Sequence, residues 1–316
     1  MPDVITIGET LAAFAPVESV RLRYASGFRM RIAGAESNTA IGLQKLGCSA
    51  GWISRLGDDE FGAFILNTIR SEGVDTTGVH IDPSRRTGVM FKQPLVNNET
   101  EVSYYRDGSA ASALSPDDID AASISNAKLL HVTGITPALS ESCRQTIVHA
   151  MDIAAKSCIP ISFDPNIRRK LWKETEFHPI LTELISRSNI LMLGMEEAEI
   201  LFSAKSVEHI FQTVFNFGNI THLALKDGAN GSYVGTSTDY LHIPPHPCKC
   251  IDPVGAGDGY NAGFLFGLLE GMDIEQCGKT GNIVGALATE TNGDIEGYPS
   301  RKHLEQLLQK KQNIFR

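Results

Sequence analysis

Lys128-Leu129-Leu130-His131-Val132 reads as a strand. Ser140 can then cap a helix that carries Cys143, Ile147, Met151 and Ala154 on one face. Pro160 to Phe163, Asn189 to Leu193 and Thr221 to Leu225 read as further strands, the last running into a glycine-rich hairpin. Strands alternating with helices predict an α/β fold with a mostly parallel sheet covered on both faces. In such sheets ligands bind beyond the carboxyl ends of the strands.

Working back toward the N-terminus, Val4 to Ile7 is a strand ending at Gly8, and Ser37 to Leu46 is a helix stopped by Gly47. Ala50 to Ser54 is a strand. Phe61, Phe64, Ile65, Thr68 and Ile69 recur at helical spacing, with Asp58 or Asp59 as cap and Gly73 as stop. Two segments break the alternation. Leu11 to Arg31 reads as short exposed strands. Gly88 to Val96 and Glu101 to Arg106 read as a strand pair turned by Asn97-Asn98-Glu99. Together they predict a small sheet outside the main body.

The length of 316 residues and 42% hydrophobic content suit one α/β domain over 1–316. A net charge of −9, with Arg168-Arg169-Lys170 as the longest basic run, argues against a nucleic-acid partner. The six cysteines include no C-x-x-C pair, and Cys248-Lys249-Cys250 lacks the spacing of a zinc knuckle. No apolar run has the length of a membrane span and no charged leader precedes the first strand, so the expected location is the cytoplasm.

Asp252-Pro253-Val254-Gly255-Ala256-Gly257-Asp258 leads into the nearly all-apolar helix Gly259 to Leu269. Small residues let the backbone curl, so that successive amides point at one spot beside the positive end of a helix dipole, which makes an anion site. Asp258 would then stand beside a phosphate, where a carboxylate can accept a proton from a nucleophilic hydroxyl. On these residues alone the alternative stays open that Asp258 caps the helix and the glycines only pack. No Walker A pattern occurs.

This stretch resembles the D-T-x-G-A-G-D signature of the ribokinase-like, or PfkB, family of carbohydrate kinases, with Pro253 in place of Thr. Ala33-Gly34-Ala35-Glu36-Ser37-Asn38-Thr39-Ala40 resembles the family's G-G-x-x-x-N-x-A segment. The resemblance covers nearly the whole chain. It implies a three-layer αβα sandwich with a small β-sheet lid, formed here by segments 11–31 and 87–112. It also implies ATP, Mg²⁺ and a small-molecule sugar as ligands, and a homo-oligomer in which the lid meets another subunit.

The chain is most similar to the branch that phosphorylates 2-keto-3-deoxygluconate. Gly8 to Ala13 carries this, with Ala13 where fructokinases and ribokinases usually have a sugar-binding Asp. So do Tyr104-Tyr105-Arg106-Asp107-Gly108-Ser109-Ala110-Ala111, His131 to Ile135, and Asp164-Pro165-Asn166-Ile167-Arg168-Arg169-Lys170-Leu171-Trp172. The resemblance implies that Asp258 is the base and that the amides of Gly255, Ala256 and Gly257 serve the transferring phosphoryl group. Gly34, Asn38, Tyr104, Arg106, Arg168 and Asp294 would line the substrate site, with Met90 where the branch usually has Tyr. Two guanidinium groups suit the carboxylate of an acid sugar.

On the nucleotide side the resemblance places Asn166, Arg168, Lys226, Gly228, Ala229, Gly231 and Asn282. Lys226 to Gly231 also reads as an ordinary hairpin turn. Glu197 would reach Mg²⁺ through water, and Asp252 would help hold a monovalent cation such as K⁺. The alternatives are a kinase of the same fold acting on fructose or ribose, and a non-catalytic sugar sensor. The intact Asp258 argues against the sensor.

Overall fold

The computed structural model describes residues 1–18, 20–94, 100–172 and 177–310. In chain order the elements are β1 (Val4–Ile7), β2 (Leu11–Pro16), β3 (Phe28–Ala33), α1 (Ala35–Leu46), β4 (Ala50–Gly57), α2 (Glu60–Ser71), β5 (Val79–Asp82), β6 (Val89–Pro94) and β7 (Thr100–Tyr105). There follow α3 (Ala121–Ser125), β8 (Leu129–Thr133), α4 (Glu141–Lys156), β9 (Ile161–Asp164), α5 (Phe177–Ser186), β10 (Ile190–Gly194), α6 (Met195–Phe202), α7 (Val207–Phe215) and β11 (His222–Lys226). The last are β12 (Ser232–Gly235), β13 (Tyr240–Ile243), α8 (Ala256–Leu269), α9 (Ile274–Ala288) and α10 (Arg301–Lys310).

The described strands form a nine-stranded sheet, ordered β13-β12-β11-β10-β9-β8-β1-β4-β5, and a separate four-stranded sheet, ordered β3-β2-β6-β7. In the large sheet every pairing from β11 to β5 is parallel, and β12 and β13 close one edge as the hairpin expected there. Strand side chains alternate between its faces. Ile5, Leu130, Val132, Phe163, Leu191 and Leu223 pack with α4, α5, α6 and α7 on one side. Val4, Trp52, Leu129, Met192 and Ala224 pack with α1, α8 and α9 on the other. Both faces are covered, which is why these strands read as apolar runs rather than alternating ones.

Local chemistry sets the helix ends. Asp59, not Asp58, caps α2, accepting the Gly62 amide at 2.8 Å, and Ser140 caps α4, accepting the Cys143 amide at 3.0 Å. Gly47, at φ 95°, ends α1 in the left-handed region that glycine enters without strain. The helix α1 starts two residues earlier than the periodicity suggests, because Gly34 already supplies an extended N-cap. Helix α8 is buried on almost every side, so it shows little amphipathicity. A Cβ at Gly263 would stand 2.7 Å from the Thr280 carbonyl, so glycine there sets how closely α9 approaches.

In the small sheet β2 pairs parallel with β6 and antiparallel with β3, while β6 and β7 form the expected pair. The turn Asn97-Asn98-Glu99 expected between them lies outside the described residues. Leu11, Ala12 and Ala13 prove buried rather than exposed, because this end of β2 faces the main body. No described helix is long and apolar enough to cross a membrane.

Candidate active site

Strand β1 lies between β4 and β8, the point where the strand order reverses, and such a point opens a crevice at the carboxyl ends. The residues delivered there are Glu9 after β1, Ile135 after β8, Asp164 and Asn166 at β9, Glu197 just past β10, and Lys226 at the end of β11. Gly34 and Asn38 come from the start of α1, and Gly255, Gly257 and Asp258 from the start of α8. Leu11, Ala33, Met90, Lys92, Val102 and Tyr104 of the small sheet form the opposite wall. Together they enclose a cavity of about 470 Å³.

At the head of α8, Gly255 has φ 84°, and a Cβ there would fall 2.4 Å from the Asp294 carbonyl oxygen, so only glycine fits. The amides of Gly257 and Asp258 have no partner among the described residues. That of Ala256 makes a long 3.3 Å bond to Pro253, and Ala256 itself does not line the cavity. Two free amides at a helix N-terminus are the anion site that the glycines predict.

Asp258 opens onto this point. Its Oδ2 accepts the Asn38 Nδ2 at 2.8 Å, and the same Nδ2 donates to Asp294 Oδ2 at 3.3 Å. Burial pushes the Asp258 carboxyl up to about 7, against the hydrogen bond from Asn38. The charges of Asp294 and Asp164 add to the rise, and Arg168 opposes it. A carboxylate held near neutral pH is matched to accepting and releasing a proton there.

The cavity's other carboxylates are engaged. Glu9 accepts Arg106 Nε at 2.7 Å and Ser109 Oγ at 2.5 Å. Asp294 accepts Lys92 Nζ at 2.6 Å. Asp164 accepts Lys226 Nζ at 2.8 Å and Asn261 Nδ2 at 2.6 Å. Burial works to raise Asp164, but the Lys226 charge and these hydrogen bonds outweigh it and hold its carboxyl below the usual range. Glu197 accepts the Gly194 amide at 2.8 Å and the Ile167 amide at 2.7 Å, while burial and then the Asp164 charge push it up. Asp258 is therefore the one cavity carboxylate with neither a cation nor a backbone amide bonded to it among the described residues. Arg168 is the one lining cation with no carboxylate partner there.

Most of this wall carries a signal in the sequence, but its charge pairs do not. Arg106 lines the cavity, yet its guanidinium is buried, bonded to Glu9 and stacked 5.5 Å from the Tyr104 ring centre. Neither Glu9 nor Lys92 carries a local signal. Glu36, inside the N-terminal motif, is fully buried and joins α1 to the end of β8 by accepting from Thr133 at 2.7 Å and Thr136 at 2.8 Å. Met90 packs against the inner face of the small sheet with Leu11, Ala13 and Ala33. Asn166 sits at φ 40°, a left-handed position that Asn tolerates.

Several expected residues stand apart from the cavity. Asn282 donates from Nδ2 to the carbonyls of Ile243 and Pro244 at 3.1 and 3.0 Å. Gly228, Ala229 and Gly231 form the turn after β11, with Gly228 at φ 52° and Gly231 at φ 96°. Asp252 accepts the Val254 amide at 3.1 Å. None of them lines the enclosed space.

No group of three or more His, Cys, Asp or Glu side chains among the described residues is placed to hold a metal ion. A site that needs few protein ligands still fits. Asp164 and Glu197 both present hard oxygens to the cavity, and Mg²⁺ keeps several waters and takes much of its shell from phosphates.

The profile of the pfkB family carbohydrate kinases matches residues 1–301. The chain is 36% identical to the 2-dehydro-3-deoxygluconokinase of Bacillus subtilis (strain 168), over 99% of its own length and 97% of the relative's. It is 33% identical to the 2-dehydro-3-deoxygluconokinase of Thermoproteus tenax, over 98% and 94%. Among solved structures, an uncharacterized sugar kinase from Pyrococcus horikoshii in complex with ATP superposes with a TM-score of 0.83 at 27% identity, covering 96% of this chain and 97% of that one.

Proposed function

The chain belongs to the pfkB family of carbohydrate kinases, and from that premise we propose that it phosphorylates the terminal (6-) hydroxyl of 2-keto-3-deoxygluconate, or of a close acid-sugar analogue, at the expense of ATP. The observation that carries this reading is Asp258: its carboxyl, raised to about 7 by burial, has neither a cation nor a backbone amide bonded to it among the described residues, and it stands beside two helix N-terminal amides with no partner among them. The 2-dehydro-3-deoxygluconokinase relatives support the choice of sugar.

In this reaction Asp258 takes the proton from the sugar hydroxyl as its oxygen bonds the γ-phosphorus, and the bond from that phosphorus to the β-phosphate oxygen breaks, releasing ADP. The amides of Gly257 and Asp258 stabilise the charge on the transferring oxygens. Asn38 Oδ1 is buried with no partner among the described residues, a free acceptor for a sugar hydroxyl. Arg168, with no carboxylate partner among the described residues, is placed to meet an anion: the sugar's carboxylate or a phosphate. Mg²⁺, when bound, neutralises phosphate charge, and Glu197 would hold one of its waters.

The small sheet serves as the lid, since its inner face walls the cavity and would exclude water that hydrolyses ATP. Its outer face supports a contact between subunits. Phe14, Phe28, Phe91 and Tyr105 pack edge to face or stacked there, Phe61 of α2 meets Phe14 edge to face, and Tyr105 is 66% exposed.

The test is ADP release over a panel of sugars. Turnover is expected with 2-keto-3-deoxygluconate and not with fructose or ribose. Turnover of fructose alone would overturn the choice of sugar, and binding of ATP and sugar without ADP release would overturn catalysis.

A further inference from the structure

Lys92 has no part in the proton and phosphoryl transfers just described, yet it is a buried cation on β6, a lid strand, pointing into the cavity. Its Nζ lies 2.6 Å from Asp294 Oδ1, and both side chains are buried. Asp294 continues inward from its other oxygen, Oδ2, which accepts Asn38 Nδ2 at 3.3 Å, and that Nδ2 lies 2.8 Å from Asp258 Oδ2. The orientation of Asn38 is fixed by its surroundings, because reversing the amide would set its oxygen against two carboxylates. The backbone of Asp294 also abuts Gly255, so one residue braces both the amide turn and the carboxylate it serves.

We propose that Lys92 is a positioning residue for the reaction: from the lid strand it holds and neutralises Asp294, and through Asn38 it sets the direction and the charge surroundings of Asp258. This rests on Asp258 as the base. Two carboxylates bridged by a single amide nitrogen would repel each other if nothing balanced one of them. The charged or polar groups facing Asp258 are Asp294 and Asn38, Asp164 with Lys226 at the sheet ends, Arg168 from the loop after β9, and the Tyr298 hydroxyl. Asp164 has Lys226 as its counter-ion. Lys92 is the only cation paired with Asp294 among the described residues. A lid strand that carries this counter-ion ties the readiness of the base to the lid's seating over the sugar.

The test compares the pH dependence of kcat/KM for the wild type with that of Lys92→Met and Asp294→Asn. Lys92→Met leaves Asp294 uncompensated, so the acid limb should move to higher pH by about one unit, and the rate near the wild-type midpoint should fall several-fold. Asp294→Asn removes the repelling charge and leaves the cation, so its acid limb should move to lower pH. Opposite shifts are the expected result, and a purely structural role would lower the rate equally at every pH. Should Lys92→Met fail to fold, the downward shift in Asp294→Asn decides alone. An unmoved limb in Asp294→Asn, or shifts of the same sign, would overturn the proposal. Asp258→Asn, assayed beside them, separates the two ideas: near-normal turnover there removes the base itself, whereas its inactivity together with unmoved limbs removes only the role of Lys92.

Discussion

Replacing Asp258 by Asn separates catalysis from stability, because the structure predicts opposite effects on the two. The introduced amide keeps a side-chain oxygen that can still accept the Asn38 Nδ2, so the local geometry survives. Turnover should fall by roughly 10²-fold or more, the usual worth of a general base. Stability should not fall. The Asp258 carboxyl is raised from 3.8 to about 7 in the folded protein, so the unfolded chain loses this proton first as pH rises. The wild type therefore has this group's full contribution below pH 3.8 and loses it progressively up to about pH 7. That loss is at most about 4 kcal/mol, and the Asp258→Asn variant would be spared it. The variant's thermal midpoint should thus gain on the wild type's from pH 5 to pH 8, while ADP release nearly vanishes. In the wild type, kcat/KM should rise with pH through a midpoint near 7 as the base loses its proton. Turnover within tenfold of wild type at pH 8, or a stability gap that does not widen with pH, would refute the argument from burial.

Two further substitutions probe the frame around Asp258. Gly255→Ala forces a Cβ into a backbone at φ 84° and to within 2.4 Å of the Asp294 carbonyl, so unfolding should be easier by more than about 1 kcal/mol and turnover should drop with it, read by thermal melts and ADP release. Lys226→Met strands the buried Asp164, and urea unfolding should show a loss of about 3–5 kcal/mol, partly recovered when Asp164→Asn is added.

The parts legible from the chain alone were those written by near neighbours. The Ser140 cap with Cys143, Ile147, Met151 and Ala154 became α4 as read, since cap and apolar stripe both lie within one helix. The turn Gly255-Ala256-Gly257-Asp258 was equally legible, because small residues followed by an apolar run constrain the backbone wherever they occur. From these, strand alternation and the family likeness, the αβα layers, the small sheet and most of the cavity wall could be expected.

The tertiary structure alone decided which charges meet. Arg106 reads as a free guanidinium until β1 and the segment after β7 bring Glu9 against it, 97 residues away in the chain. Lys92 finds Asp294 across 202 residues, and Glu36 finds Thr133 across 97. A charge in sequence has no partner, because pairing depends on which strand ends and loops fold side by side. The pKa of Asp258 follows from the same cause: its rise comes from burial and from neighbours that only the closed fold assembles.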